Sequence, residues 1–217
     1  MKKKSAFQNV AIAHFNEHSS LYVFIIVLFL MGVIFGAVIV NSLSFTQKED
    51  LFYYLGQFFG QVSEGNLSPS YDMFLQSLQH NMKYIVLIWI LGVSIIGIPV
   101  ILILLFLKGM VVGFTVGFLV NQMGWSGFGV AFVSILPQNI LIVPVFIFIT
   151  TLALSLTIKI VRRIIMKNVR EPLKPIIFKY VFSLLISFLL LSGAAAIEAY
   201  FSPPLMKTVI GDNFIKK

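Results

Sequence analysis

Few residues in this chain are of types that do chemistry, and their spacing limits what that chemistry could be. His14-Phe-Asn-Glu17-His18 reads H-x-x-E-H, the pattern in which two helical histidines bind zinc beside a general-base glutamate. A catalytic zinc also wants a third protein ligand in a shaped cleft. The regions on the same side of the chain by charge offer only Glu171, so the segment reads as a polar helix entering the first apolar run. No metal and no cofactor is expected. His80 flanks the second apolar run, Glu198 is the one acid close to a run, and Lys83 and Lys108 read as flanking anchors with stems that snorkel. No histidine or aspartate falls within a run, which removes the pairs that intramembrane proteolysis needs. It also leaves an ion-coupled transporter without a midplane relay.

Two further patterns look chemical and read as structural. Gly109, Gly113 and Gly117 lack the Lys-Ser/Thr ending of a phosphate-binding loop. Their four-residue spacing stacks them on one helix face, where missing side chains let another helix approach closely. Gly32 and Gly36 repeat the device, as do Ser183 and Ser187. Packing within the chain is one use of such faces and a homodimer seam is the other. The second pattern is ILPQNILIVP, residues 135–144, with Pro137, Gln138, Asn139 and Pro144 inside an apolar context. Proline removes an amide donor and disfavours helix in its predecessor, so a re-entrant half-helix over 129–136 is expected to break at Pro137. The two amides would then bond the freed carbonyls.

The elements that must carry these residues follow from composition. Apolar residues make up 59% of the 217, charged residues only 11%, and the mean hydropathy is +0.97. Such a chain belongs in a membrane, and its long runs without alternation make it an all-α polytopic transmembrane helix bundle rather than a barrel. A span needs about 20 apolar residues. The candidates are 21–40, 84–107, 109–121, 140–158 and 180–199, five spans in one integral membrane domain. No cysteine is present, so disulfides and thiolate sites are excluded.

The basic residues orient the bundle. Lys2, Lys3 and Lys4 precede the first span, and Lys159, Arg162, Arg163, Lys167, Arg170, Lys174 and Lys179 crowd the loop at 159–179. Both regions are expected in the cytoplasm, with the loop at 42–81 and the C-terminus external. These charges suit a membrane surface, and no nucleic-acid partner is expected. Within the external loop, Thr46-Gln-Lys-Glu49 has the capping-box pattern. Leu51, Leu55, Phe58, Phe59 and Val62 then form one apolar helical face, which would cover span ends or dock a partner. Ser68-Pro69 is a second helix start, leading through Met73 and Leu78 into the next span. So little external mass cannot fold a catalytic domain of its own.

Several stretches carry a resemblance: LMGVIFGAVIVNSLS at 30–44, QKEDLFYYL at 47–55, FFGQVSEG at 58–65, KGMVVGFTVGFLVNQMGW at 108–125 and FVSILPQN at 132–139. Together they resemble the stage II sporulation protein M family of Bacillus-type endospore formers, over essentially the whole chain. The resemblance implies a mother-cell membrane protein that is not itself a hydrolase. It would anchor the engulfment machinery, with stage II sporulation proteins D and P as its peptidoglycan-degrading partners. The wider family often carries Pro-His-Gly-x-x-Glu-x-Pro. Pro137 and Pro144 keep its prolines, while Gln138, Asn139 and Ile142 stand at its histidine, glycine and glutamate positions. Both titratable groups are absent, so any chemistry at that motif is not transferred. The functional expectation is a non-enzymatic scaffold. The alternative is a small-molecule channel or transporter along Asn121, Gln122, Gln138 and Asn139.

Overall fold

The computed structural model describes residues 19–66, 68–165 and 173–214. Among them the chain forms α1 Ser19–Ser42, α2 Phe45–Glu64, α3 Ser70–Leu91, α4 Gly97–Ser134, α5 Leu136–Ile165 and α6 Leu173–Ala196. A π-helical turn, Ile197–Phe201, then leads into α7, Ser202–Phe214. No strand occurs among the described residues. The segments with Lys2 to Lys4, His14, Glu17, His18, Lys167, Arg170 and Glu171 lie outside them.

Among the described residues, four helical stretches are long and apolar enough to cross a membrane: α1, α4, α5 and the rod from Tyr180 to Thr208. Their outward faces are as apolar as their inward ones, with Val23, Ile34, Ile103 and Leu189 all exposed. That is what a helix needs when its solvent is hydrocarbon. The fold is an all-α membrane helix bundle.

The apolar run at 84–107 is not one helix. It divides at Gly92–Ile96, where Ser94 N–H donates to Leu91 O (2.9 Å) and Gly97 N–H to Ser94 O (3.0 Å). Gly97 is required here because a Cβ would run into the Leu91 carbonyl. Pro99 follows in the first turn of α4, where its missing N–H would have had no partner. The 109–121 segment is therefore not a helix of its own. It continues α4 through Lys108, a charge that looked like a span end and is an interior residue of a helix.

Gly124 ends the straight part of α4 with φ 58° and ψ −132°, a conformation side chains rarely allow. The half-helix 125–134 then folds back, so that Gly127 lies on the Leu119 carbonyl. The expected half-helix thus exists, shifted to the N-terminal side. Its break is at Ile135, and Pro137 sits in the first turn of α5, where the absent amide donor costs nothing. Pro144 lies within α5.

The starts of the shorter helices also shift. Ser44, not Thr46, caps α2: its Oγ accepts from Gln47 N–H (3.3 Å) and the Gln47 Oε1 accepts from Ser44 N–H (3.0 Å). The same S/T-x-x-E/Q grammar was available two residues earlier. At the other end, Gly65 closes α2 in the left-handed conformation. Ser68 does not cap α3, which starts at Ser70 without a side-chain cap and runs on to Leu91.

Two cores result. The larger joins Ile25 and Phe29 of α1, Ile85 and Ile88 of α3, Ile101 and Leu105 of α4, Phe146 and Ile149 of α5 and Leu191 of α6. The smaller lies at one end and joins Phe59 and Val62 of α2, Leu119 of α4, Val130 and Ala131 of the half-helix and Met206 of α7.

Candidate functional site

Three helices that meet around α3 hold a line of polar groups inside the apolar bundle. Lys108 Nζ donates to Asn81 Oδ1 (3.0 Å), Asn81 Nδ2 donates to Ser77 O (3.0 Å), and Ser77 Oγ donates to Glu198 Oε2 (2.5 Å). Ser77 and Asn81 are buried, one turn apart on α3. Glu198 sits in the π-turn, a feature often found where a helix is shaped for a purpose.

The depth of this line follows from helix geometry. Asn81 lies ten residues before the end of α3 and Lys108 eleven after the start of α4. At 1.5 Å per residue both are roughly 15 Å from the turn that joins the two helices. Lys108 thus lies in the interior of a membrane-length helix, not at its flank. Its ammonium lies over the rings of Phe146 (5.1 Å) and Tyr84 (5.8 Å), which solvate it in place of water. Half-buried charges of opposite sign, joined through a buried amide and a buried hydroxyl, form an arrangement that is costly unless every member is kept. Sequence reasoning missed it because Asn81, Lys108 and Glu198 are far apart in the chain and none belongs to a motif.

The amides singled out in the sequence are brought into different contacts. Gln138 Oε1 accepts from Ser202 Oγ just past the π-turn (3.3 Å). Asn139 Nδ2 donates to the Ile135 carbonyl (2.8 Å), which closes the break before α5. Asn121 Nδ2 instead reaches Asn41 Oδ1 on α1 (3.4 Å). Ile142, at the position of the motif glutamate, is buried in the larger core.

The two glycine faces meet each other. A Cβ on Gly109 or Gly113 would collide with the carbonyls of Phe29 or Val33, and one on Gly32 or Gly36 with those of Phe106 or Met110. Gly117 lies against Ala37, whose Cα would be 3.0 Å from an added Cβ. These five glycines form one backbone-to-backbone seam between α1 and α4, within the chain. Ser183 and Ser187 are buried on α6.

The apolar face of α2 turns inward. Phe59 and Val62 are buried against α4, the half-helix and α7, with Leu55 packed beside them. Leu51 is half-buried and Phe58 lies at the edge, 38% exposed. Outward-facing on α2 are Phe45, Tyr53 and Tyr54.

Comparison with known proteins agrees with this architecture at one point. No curated protein and no solved structure matches the chain. The family model for stage II sporulation protein M matches residues 25–203. That stretch runs from α1 through the π-turn and includes the glycine seam, α2, the half-helix and the buried line from Lys108 to Glu198. The chain belongs to the stage II sporulation protein M family, and is a sporulation-related membrane protein.

Proposed function

We propose that the protein is a non-catalytic scaffold of engulfment, holding peptidoglycan-degrading partners, stage II sporulation proteins D and P, at the septal membrane of the mother cell. One observation carries the reading. The surface helix α2 is fixed to the bundle by Phe59 and Val62, while Tyr53 and Tyr54 stand 64% and 68% exposed on its other side. Rigidly held exposed tyrosines suit a docking face, since they offer large contact area at little entropic cost. Basic residues at the end of α5, Arg162 and Arg163, support a cytoplasmic end there, an external α2 and a cytoplasmic N-terminus.

The test is deletion followed by tracking of fluorescent hydrolases in sporulating cells. Scaffolding requires the hydrolases to scatter from the septum when the protein is absent. A Tyr53→Lys/Tyr54→Lys variant, which disturbs no core, should do the same while the protein stays abundant. Hydrolases that keep their place in the deletion strain, with engulfment still blocked, refute the scaffold.

A second reading, a small-molecule channel or transporter, draws on the line from Lys108 to Glu198, because intramembrane charges commonly mark translocation paths. Uptake or conductance in proteoliposomes that disappears in Lys108→Met would favour it.

A further inference from the structure

The half-helix 125–134 has two apolar faces, and among the described residues only one has a protein neighbour. Gly127, Val130 and Ala131 are buried against the Leu119 region of α4 and the smaller core. The opposite face presents Trp125 (89% exposed), Phe128 (49%) and Phe132 (53%). Their rings form a ladder, with centroids 6.2 Å apart for Trp125 and Phe128 and 6.3 Å for Phe128 and Phe132. No polar side chain interrupts it on that face.

Three observations identify what covers this stripe. From Gly109 to Ile158 the sequence contains no Asp, Glu, Lys, Arg or His, so the connection between α4 and α5 has no charge that must reach water. The chain reverses at Gly124 and places Gly127 on the Leu119 carbonyl, back at a level within α4. Finally, α4, which carries the half-helix, is long and apolar enough to cross a membrane and already exposes Val111 and Val120 before Gly124. Aromatic side chains, tryptophan above all, favour the boundary between headgroups and acyl chains.

We propose that the half-helix is a wedge seated in the headgroup–acyl boundary of one leaflet, with Trp125, Phe128 and Phe132 in contact with lipid. It sits with α2 and α7 at the same end of the bundle, where the smaller core joins them. Helical volume is thereby added to one leaflet. A body of this kind expands the leaflet it occupies and favours a membrane that bulges toward that side.

The chain has two tryptophans, which makes the location measurable. In phosphatidylcholine–phosphatidylglycerol vesicles the signal lost in Trp125→Phe is that of Trp125 alone. That signal should be quenched by lipids brominated near the headgroup, less by lipids brominated deep in the chains, and little by aqueous acrylamide. Quenching by acrylamide without quenching by bromine would place the stripe in water, and protection from both would place it under protein, such as a second copy. Either result overturns the proposal. The effect is read on tubes pulled from giant vesicles of the same lipids. Molecules whose α2 end faces outward, identified through Gln61→Cys and an impermeant dye, should be enriched severalfold on the tube. Phe128→Ala/Phe132→Ala should reduce that enrichment without changing the melting temperature. Equal density on tube and flat membrane defeats the wedge whether or not the scaffold reading holds.

Discussion

Tyr180 and Trp89 exchange hydrogen bonds across the bundle: the Tyr180 hydroxyl donates to the Trp89 carbonyl (2.7 Å) and Trp89 Nε1 donates to the Tyr180 carbonyl (3.1 Å). Their rings stack at 5.2 Å with 9° between planes. The Trp89 carbonyl lies in the last turn of α3, where helix carbonyls lose their intrahelical partners. Next to it, Thr157 Oγ1 donates to the Gly92 carbonyl (2.6 Å). The end of α3 is thus capped by side chains of α5 and α6 instead of by water. Tyr180→Phe keeps the stacking and removes one cap. It should lower stability by about 1–2 kcal/mol, seen as a lower thermal midpoint in detergent, whereas Tyr53→Phe should leave the midpoint unchanged.

The glycine seam gives a contrast within one residue type. An added methyl on Gly113 meets the Val33 carbonyl, while one on Gly56 meets nothing within 4 Å. Gly113→Ala must part α1 from α4 and is expected to destabilise or prevent accumulation. Gly56→Ala, in an exposed turn of α2, should stabilise by roughly 0.5–1 kcal/mol through helix propensity. Equal melting temperatures for the two variants would show that the seam is not closed.

Lys108 and Glu198 should behave as a pair. Removing either leaves the other charge half-buried without its counter-charge, an effect smaller than the roughly 3 kcal/mol of a fully buried pair. Lys108→Met/Glu198→Gln should therefore lose less than the sum of the single variants. A double-mutant cycle by thermal unfolding reads the coupling directly, and strict additivity would separate the two groups.

Orientation can be read from single cysteines, because the chain has none of its own. An impermeant maleimide should label Gln61→Cys in intact cells and reach Ile165→Cys only after the membrane is opened. Both side chains are exposed, so failure to label reports sidedness. Labelling of Ile165→Cys in sealed cells reverses the topology.

Composition alone made the all-α membrane class legible, and glycine spacing picked out the faces of α1 and α4 before any partner was visible. What misled was Lys108. A lone lysine in an apolar run reads the same at an interface as in the interior, and the groups that decide, Asn81 and Glu198, lie on other helices. The true division was marked by GVSIIGIP at 92–99, two glycines and a proline around a serine, a turn signal weaker than a charge on a hydropathy scale. Pro137 misled in the opposite way. A proline is a break inside a helix but harmless in its first turn, and only the position of Gly124 shows which applies.

The seam between α1 and α4 also fixes an order of events during synthesis. α1 leaves the ribosome first, yet the carbonyls of Phe29 and Val33 find their partners only when Gly109 and Gly113 have followed. Until α2, α3 and the start of α4 have been translated, the glycine face of α1 rests against lipid, or against whatever chaperone or insertase holds it. The helix made before α2 and α3 is therefore completed only after both, when α4 arrives. A chain that stalls before Gly117 would leave behind a fully inserted helix with its most closely fitting surface still open.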